Sequence, residues 1–218
     1  MRMQRTHGKN NKRNLKTVRQ TRPARLLEML ETRTLFANIA WDGGPTGDGT
    51  NFLLAANWAG DVLPGAGDTA TIGATGSSPT ITIPIGTPAV QAVNSSRNIQ
   101  LAGGSLSGGT WTFSGGANML GSNSPGSLAN VTISGGDLVL NSTSATVTVS
   151  GTTSFPAARL TANNATLSMG PGYTLNSLVS VEGATTGART ITMAAGGTTD
   201  ADSLKINDTT ARTECGSF

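Results

Sequence analysis

Val131-Thr132-Ile133-Ser134-Gly135-Gly136 is the stretch that decides how this chain reads. Apolar and small polar residues alternate, the period-two signature of a strand buried on one face. The glycine pair then allows a tight bend. The pattern recurs on both sides. Upstream stand Ile81-Thr82-Ile83 and Trp111-Thr112-Phe113-Ser114-Gly115-Gly116. Downstream stand Val147-Thr148-Val149-Ser150-Gly151, Leu167-Ser168-Met169-Gly170 and Ile191-Thr192-Met193, the last followed by Gly196-Gly197. Successive copies start 30, 20, 16, 20 and 24 residues apart, with a mean of 22. A repeat of that length marks a solenoid, whereas a propeller blade needs about 40–45 residues. Shorter runs between the copies (Asn98–Leu101, Leu138–Leu140, Arg159–Leu160, Leu178–Val181, Ser203–Ile206) predict two or three strands per turn. The expected fold is all-β: a right-handed parallel β-helix of about six rungs, with the six copies stacked in register. A Greek-key β-sandwich is the alternative, because it too has many short strands at 8–12-residue spacing.

Composition agrees. The chain holds 29 Gly, 33 Thr and 20 Ser, with 12% charged and 4% aromatic residues. A coiled coil or helical bundle is excluded, since either needs Ala, Glu, Lys, Leu and Arg in bulk. No run approaches the roughly 18–20 apolar residues of a membrane span, so no transmembrane helix is expected. Cys215 is the single cysteine, which rules out an internal disulfide framework, and it is assigned no role.

The net charge of +3 conceals two segments. Residues 1–35 carry ten Lys/Arg against Glu28 and Glu31, while residues 36–218 carry five basic and ten acidic side chains. Residues 1–22 lack the apolar surface to offset chain entropy and read as a disordered basic tail. Such a tail suits a leader drawn to anionic lipid, a nucleic-acid arm or a solvated end. With no aromatic side chains among the charges, base stacking has no support and no specific nucleic-acid partner is expected. Residues 23–37 form an amphipathic segment: Pro23 suits a first helical turn, and Leu26, Leu27, Leu30 and Thr34 follow helical spacing.

Within that segment Leu27-Glu28-Met29-Leu30-Glu31-Thr32-Arg33-Thr34-Leu35-Phe36-Ala37 resembles the N-terminal Leu-Glu-x-x-Arg-x-Leu-Leu motif of large planctomycete-type surface proteins. Those proteins often have Pro where Met29 or Leu30–Thr32 stand, and a second Leu where Phe36 stands. The resemblance covers about a dozen residues. It implies an export-associated head, engaged by the export machinery, before a secreted, repeat-rich body at the cell surface.

Residues 38–73 form a second landmark, with Trp41-Asp42-Gly43-Gly44, Asn57-Trp58 and Pro64-Gly65-Ala66-Gly67-Asp68 before Thr69-Ala70-Thr71-Ile72. This segment resembles the opening of secreted β-helical adhesin and autotransporter-passenger repeats, and the resemblance implies that Thr69–Ile72 is the first strand. It reads as the N-terminal cap of a solenoid that occupies residues 74–218, in which two Trp rings plug a body short of aromatics. Two binding roles are also open to it. Exposed Trp41 and Trp58 would stack on sugars. Asp42, Asp48, Asp61 and Asp68 would supply oxygen ligands to calcium from flexible loops, unless they cap local amides instead.

Chemistry is sparse elsewhere. His7 is the only histidine, so Ser-His-acid, Cys-His and His/Cys zinc sites in the body are excluded. Asp200 and Asp202 have the alternate spacing of a carboxylate pair, and Arg159 and Arg189 would suit a β-helical polysaccharide lyase. The function expected is a non-catalytic, secreted or cell-surface adhesin-like module that contacts an extracellular polysaccharide or a surface partner. A polysaccharide-binding or polysaccharide-degrading β-helix is the alternative, and so is a fragment of a larger surface protein without independent function.

Overall fold

A computed structural model describes residues 36–44, 47–74, 80–183 and 187–199, together with the backbone of strand Leu204–Ile206. The basic tail, residues 23–35 of the amphipathic segment, the Asp200/Asp202 pair and Cys215 lie outside the described residues.

The described residues form one compact unit. It is a parallel β-solenoid of about six turns, with no α-helix among the described residues. A turn visits three faces in order. The first face stacks Asn38–Ala40, Thr69–Ile72, Ala92–Ser95, Thr110–Phe113 and Thr132–Ser134. A parallel bridge from Thr132 to Ser154 carries it onward. The second face stacks Thr80–Gly86, Asn98–Ser107, Met119–Gly121, Leu138–Leu140, Ala157–Leu160, Leu178–Val181 and Leu204–Ile206. On the third, the end of Asn98–Ser107 is followed by Gly126–Ala129, Thr146–Ser150, Thr166–Met169 and Thr190–Met193. Asn98–Ser107 thus belongs to two faces, bending at Gly103, where φ is 91°. A small parallel pair, Thr174–Leu175 with Thr198–Thr199, completes the strands.

Among the described residues every strand ladder is parallel, with a single isolated antiparallel bridge between Trp41 and Trp58, which overturns the sandwich alternative, since hairpins and Greek keys make antiparallel ladders. The six sequence copies, however, do not form one stack. Ile81-Thr82-Ile83 is on the second face and pairs with Ile99-Gln100-Leu101. Trp111 and Ile133 are neighbours on the first face. Val147, Leu167 and Ile191 are neighbours on the third. The 16-residue step from Val131 to Val147 is therefore travel from face to face, not a short turn.

The core is a set of columns, because parallel in-register pairing places each inward side chain over its counterpart in the next turn. Ala70, Val93, Trp111 and Ile133 align on the first face. Ile81, Ile99, Met119, Leu138, Ala158 and Val179 align on the second, all fully buried. Leu106, Leu128, Val149, Met169 and Met193 align on the third. At the corner after Trp111–Phe113, Gly115 and Gly116 take φ of 63° and 82°, a region open to glycine without strain.

Asn38–Ala40 already belongs to the first face, and Thr69–Ile72 is its second strand. Asn51 bridges in parallel to Thr82 on the second face. Residues 38–68 are thus a complete turn, stacked directly on the one that begins at Thr69.

Candidate functional site

The first turn gathers most of the side chains that the sequence singles out. The Trp41 and Trp58 rings meet edge to face, with centroids 4.9 Å apart and planes at 86°. Phe52 makes a second such contact with Trp58 at 4.9 Å and lies 5.7 Å from Trp111, on the fourth strand of the first face. Trp58 Nε1 donates to the Phe52 carbonyl at 2.8 Å. Trp58 is 0% exposed and Trp41 9%. Neither presents a ring face to solvent, so the sugar-stacking role is corrected: these rings fill the interior at the end of the stack.

The four aspartates do not converge on a metal. Asp42 Oδ1 accepts the Gly44 amide at 2.8 Å. Asp48 Oδ1 accepts the amides of Thr50 and Asn51 and the side-chain amide of Asn57, each at 2.8 Å. Asp68 holds the Ala37 amide on one oxygen and the Gly65 amide on the other, both at 2.8 Å. Asp61 stands apart and exposed, at a φ of 55°. Among the described residues no three acidic, His or Cys side chains come together to hold a metal ion. The calcium role is corrected accordingly: three of these carboxylates cap backbone amides, as Asp does in Gly-rich turns. The amides that point at Asp48 hold its carboxyl down from the usual 3.8 to about 2, and the Ala37 and Gly65 amides lower that of Asp68.

Asn57 organises this turn. It is fully buried, donates to Asp48 and to the Asn51 carbonyl, and accepts the Gly49 amide at 2.9 Å. Its own carbonyl accepts the Asp42 and Gly43 amides at 3.1 Å. A Cβ on Gly44 or Gly47 would run into the Ala56 carbonyl oxygen, so the loop lies flat against this segment. The Asn-Trp dipeptide was the signal for a turn, but nothing local indicated that one amide would hold a loop eight residues away.

Outward positions carry hydroxyls. On the first face, Thr71, Asn94, Thr112 and Ser134 form a column. Ser105, Ser127, Thr148, Ser168 and Thr192 form another on the third. Side chains bond from turn to turn: Thr112 with Ser134 at 3.2 Å, Ser127 to Ser105 at 2.8 Å and Thr192 to Ser168 at 3.0 Å.

One corner is charged. Arg159 on the second face grips Glu182 of the next turn through Nε (3.0 and 3.2 Å) and Nη2 (2.6 Å), and Ser180 donates to the same carboxylate at 2.6 Å. These bonds lower the Glu182 carboxyl below its usual range and raise the guanidinium of Arg159. Arg189 folds its guanidinium against Gly183, the residue after Glu182. No helix among the described residues is long and apolar enough to cross a membrane.

Neither family profiles, curated proteins nor solved structures provide a match to this chain.

Proposed function

We propose that this chain is a non-catalytic structural module of adhesin type, secreted or displayed at the cell surface, with residues 1–37 directing its export. The observation that carries this reading is the pair of hydroxyl-bearing faces. Columns of Thr, Ser and Asn present short neutral donors and acceptors on a stacked backbone, and short side chains lose little rotamer entropy when ordered. Such a surface suits a neutral extracellular polysaccharide or another cell-surface partner, and it needs no counter-charge. The resemblance of residues 27–37 to the export-associated motif of planctomycete-type surface proteins supports the same destination. The test is expression of the full chain beside a form lacking residues 1–37. The full chain is expected outside the cell and open to added protease, and the shortened form folded but retained. A full-length protein found soluble in the cytoplasm overturns the reading. So does salt-resistant, sequence-selective DNA binding, because attraction through ten cations alone fades as salt rises.

The charged corner favours a second reading, in which part-exposed Arg159 and Glu182 meet an acidic polysaccharide. Incubation with polygalacturonate separates the two. Release of unsaturated products supports an enzyme, and an unchanged polymer supports the structural module.

A further inference from the structure

We propose that the first turn is a carboxylate-held latch, which opens on acidification while the turns stacked behind it remain closed. The geometry is local. Asp48 ties Thr50, Asn51 and buried Asn57 into one knot, and Asp68 pins the entering strand at Ala37 to the loop at Gly65. Asn57 lies next to Trp58, so the knot also fixes the ring that fills this end of the core.

The electrostatics isolate these groups. Residues 36–96 contain Asp42, Asp48, Asp61 and Asp68 and no Lys, Arg or His. The strands packed against the turn, Thr69–Ile72 and Thr80–Gly86, bear no titratable side chain. Asp48 and Asp68 are therefore satisfied by neutral donors, chiefly amides, and a charged acceptor makes the stronger bond. Because Asp48 titrates at about 2 when folded and near 3.8 otherwise, its contribution is complete above about pH 4 and is lost as pH falls toward 2. Asp68 is shifted in the same direction. Behind the first turn, closure depends on backbone ladders and aliphatic columns that do not titrate. The Arg159–Glu182 pair is part-exposed there and weakly stabilising. In a stack joined mainly from turn to neighbouring turn, with the Phe52–Trp111 ring contact reaching further, an end turn can open without the rest.

Hydrogen exchange on the full chain, resolved by segment and corrected for intrinsic rates, tests this at pH 7, 5 and 3. The amides of Trp41 and Phe52, bonded to Thr71 and Thr82, report on the latch, and those of residues 126–169 report on the stack. Protection at 41–57 is expected to fall about tenfold or more at pH 3, with 126–169 unchanged. Asp48→Asn is expected to reproduce that loss at pH 7. Asp61→Asn, which removes the same charge from a carboxylate that caps no amide, is expected to leave both segments as they are. Simultaneous loss in both segments, at pH 3 or in Asp48→Asn, overturns the latch. So does full protection of 41–57 at pH 3, or an Asp61→Asn effect equal to that of Asp48→Asn.

Discussion

Trp58 shows what one residue does at the end of a stack. A parallel coil leaves its last interior layer open, and here an indole closes it against Trp41 and Phe52. Trp58→Ala removes a fully buried ring, and a loss of about 3–5 kcal/mol in denaturant unfolding is expected, the range for large core truncations. A change below about 0.5 kcal/mol would mark an exposed ring. Tyr173 makes a comparable point. It is buried, its hydroxyl donates to the Thr153 carbonyl at 2.9 Å, and burial pushes its ionisation up to about 12. The folded chain keeps a proton that the unfolded chain releases near 10. Stability should therefore fall as pH rises from about 10 to 12. Tyr173→Phe should abolish that part of the alkaline loss, while costing about 0.5–1.5 kcal/mol at neutral pH for the missing bond.

Strands were legible in the sequence, and their grouping into faces was not. The resemblance of residues 38–73 to the opening of β-helical adhesins located Thr69–Ile72, and both the principal copies found by alternation and the shorter runs proved to be strands. What alternation cannot convey is which face a strand belongs to. The same β-branched residues point inward on all three faces, and glycine bends the chain at corners of every kind. Ile81, Trp111 and Val147 therefore looked like successive copies of one strand, though each lies on a different face. The binding roles of Trp41, Trp58 and the aspartates failed for a related reason, since residue type does not reveal whether a carboxylate already holds an amide. Alternation does fix which residues face inward, and this gives a paired test. Val147→Ala should cost about 1–3 kcal/mol, because Val147 is fully buried over Leu167. Thr148→Ala, one residue on and exposed, should stay within about 0.5 kcal/mol. Equal effects would mean that the register is wrong.

As a whole, the body should give a far-UV circular dichroism spectrum without helical minima when produced from Asn38 onward. Strong minima at helical wavelengths would contradict the stacked strands. Corners should also absorb added chain. At Gly115 and Gly116 an extra Cβ meets nothing within 4 Å, so four residues inserted there should shift the unfolding midpoint little, as loop closure depends only weakly on length. The parallel pairing of successive turns has a mechanical corollary. The hydrogen bonds that join one turn to the next run along the stacking direction. A pull from the two ends therefore loads them one turn at a time, in the manner of a zipper rather than a shear joint. Thr166 and Thr190, in register on adjacent turns, are 24 residues apart, and Thr146 and Thr166 are 20. Each rupture should thus pay out about 70–85 Å of chain at ~3.5 Å per residue. The molecule would behave as an extensible tether that yields by small, repeated increments at low force.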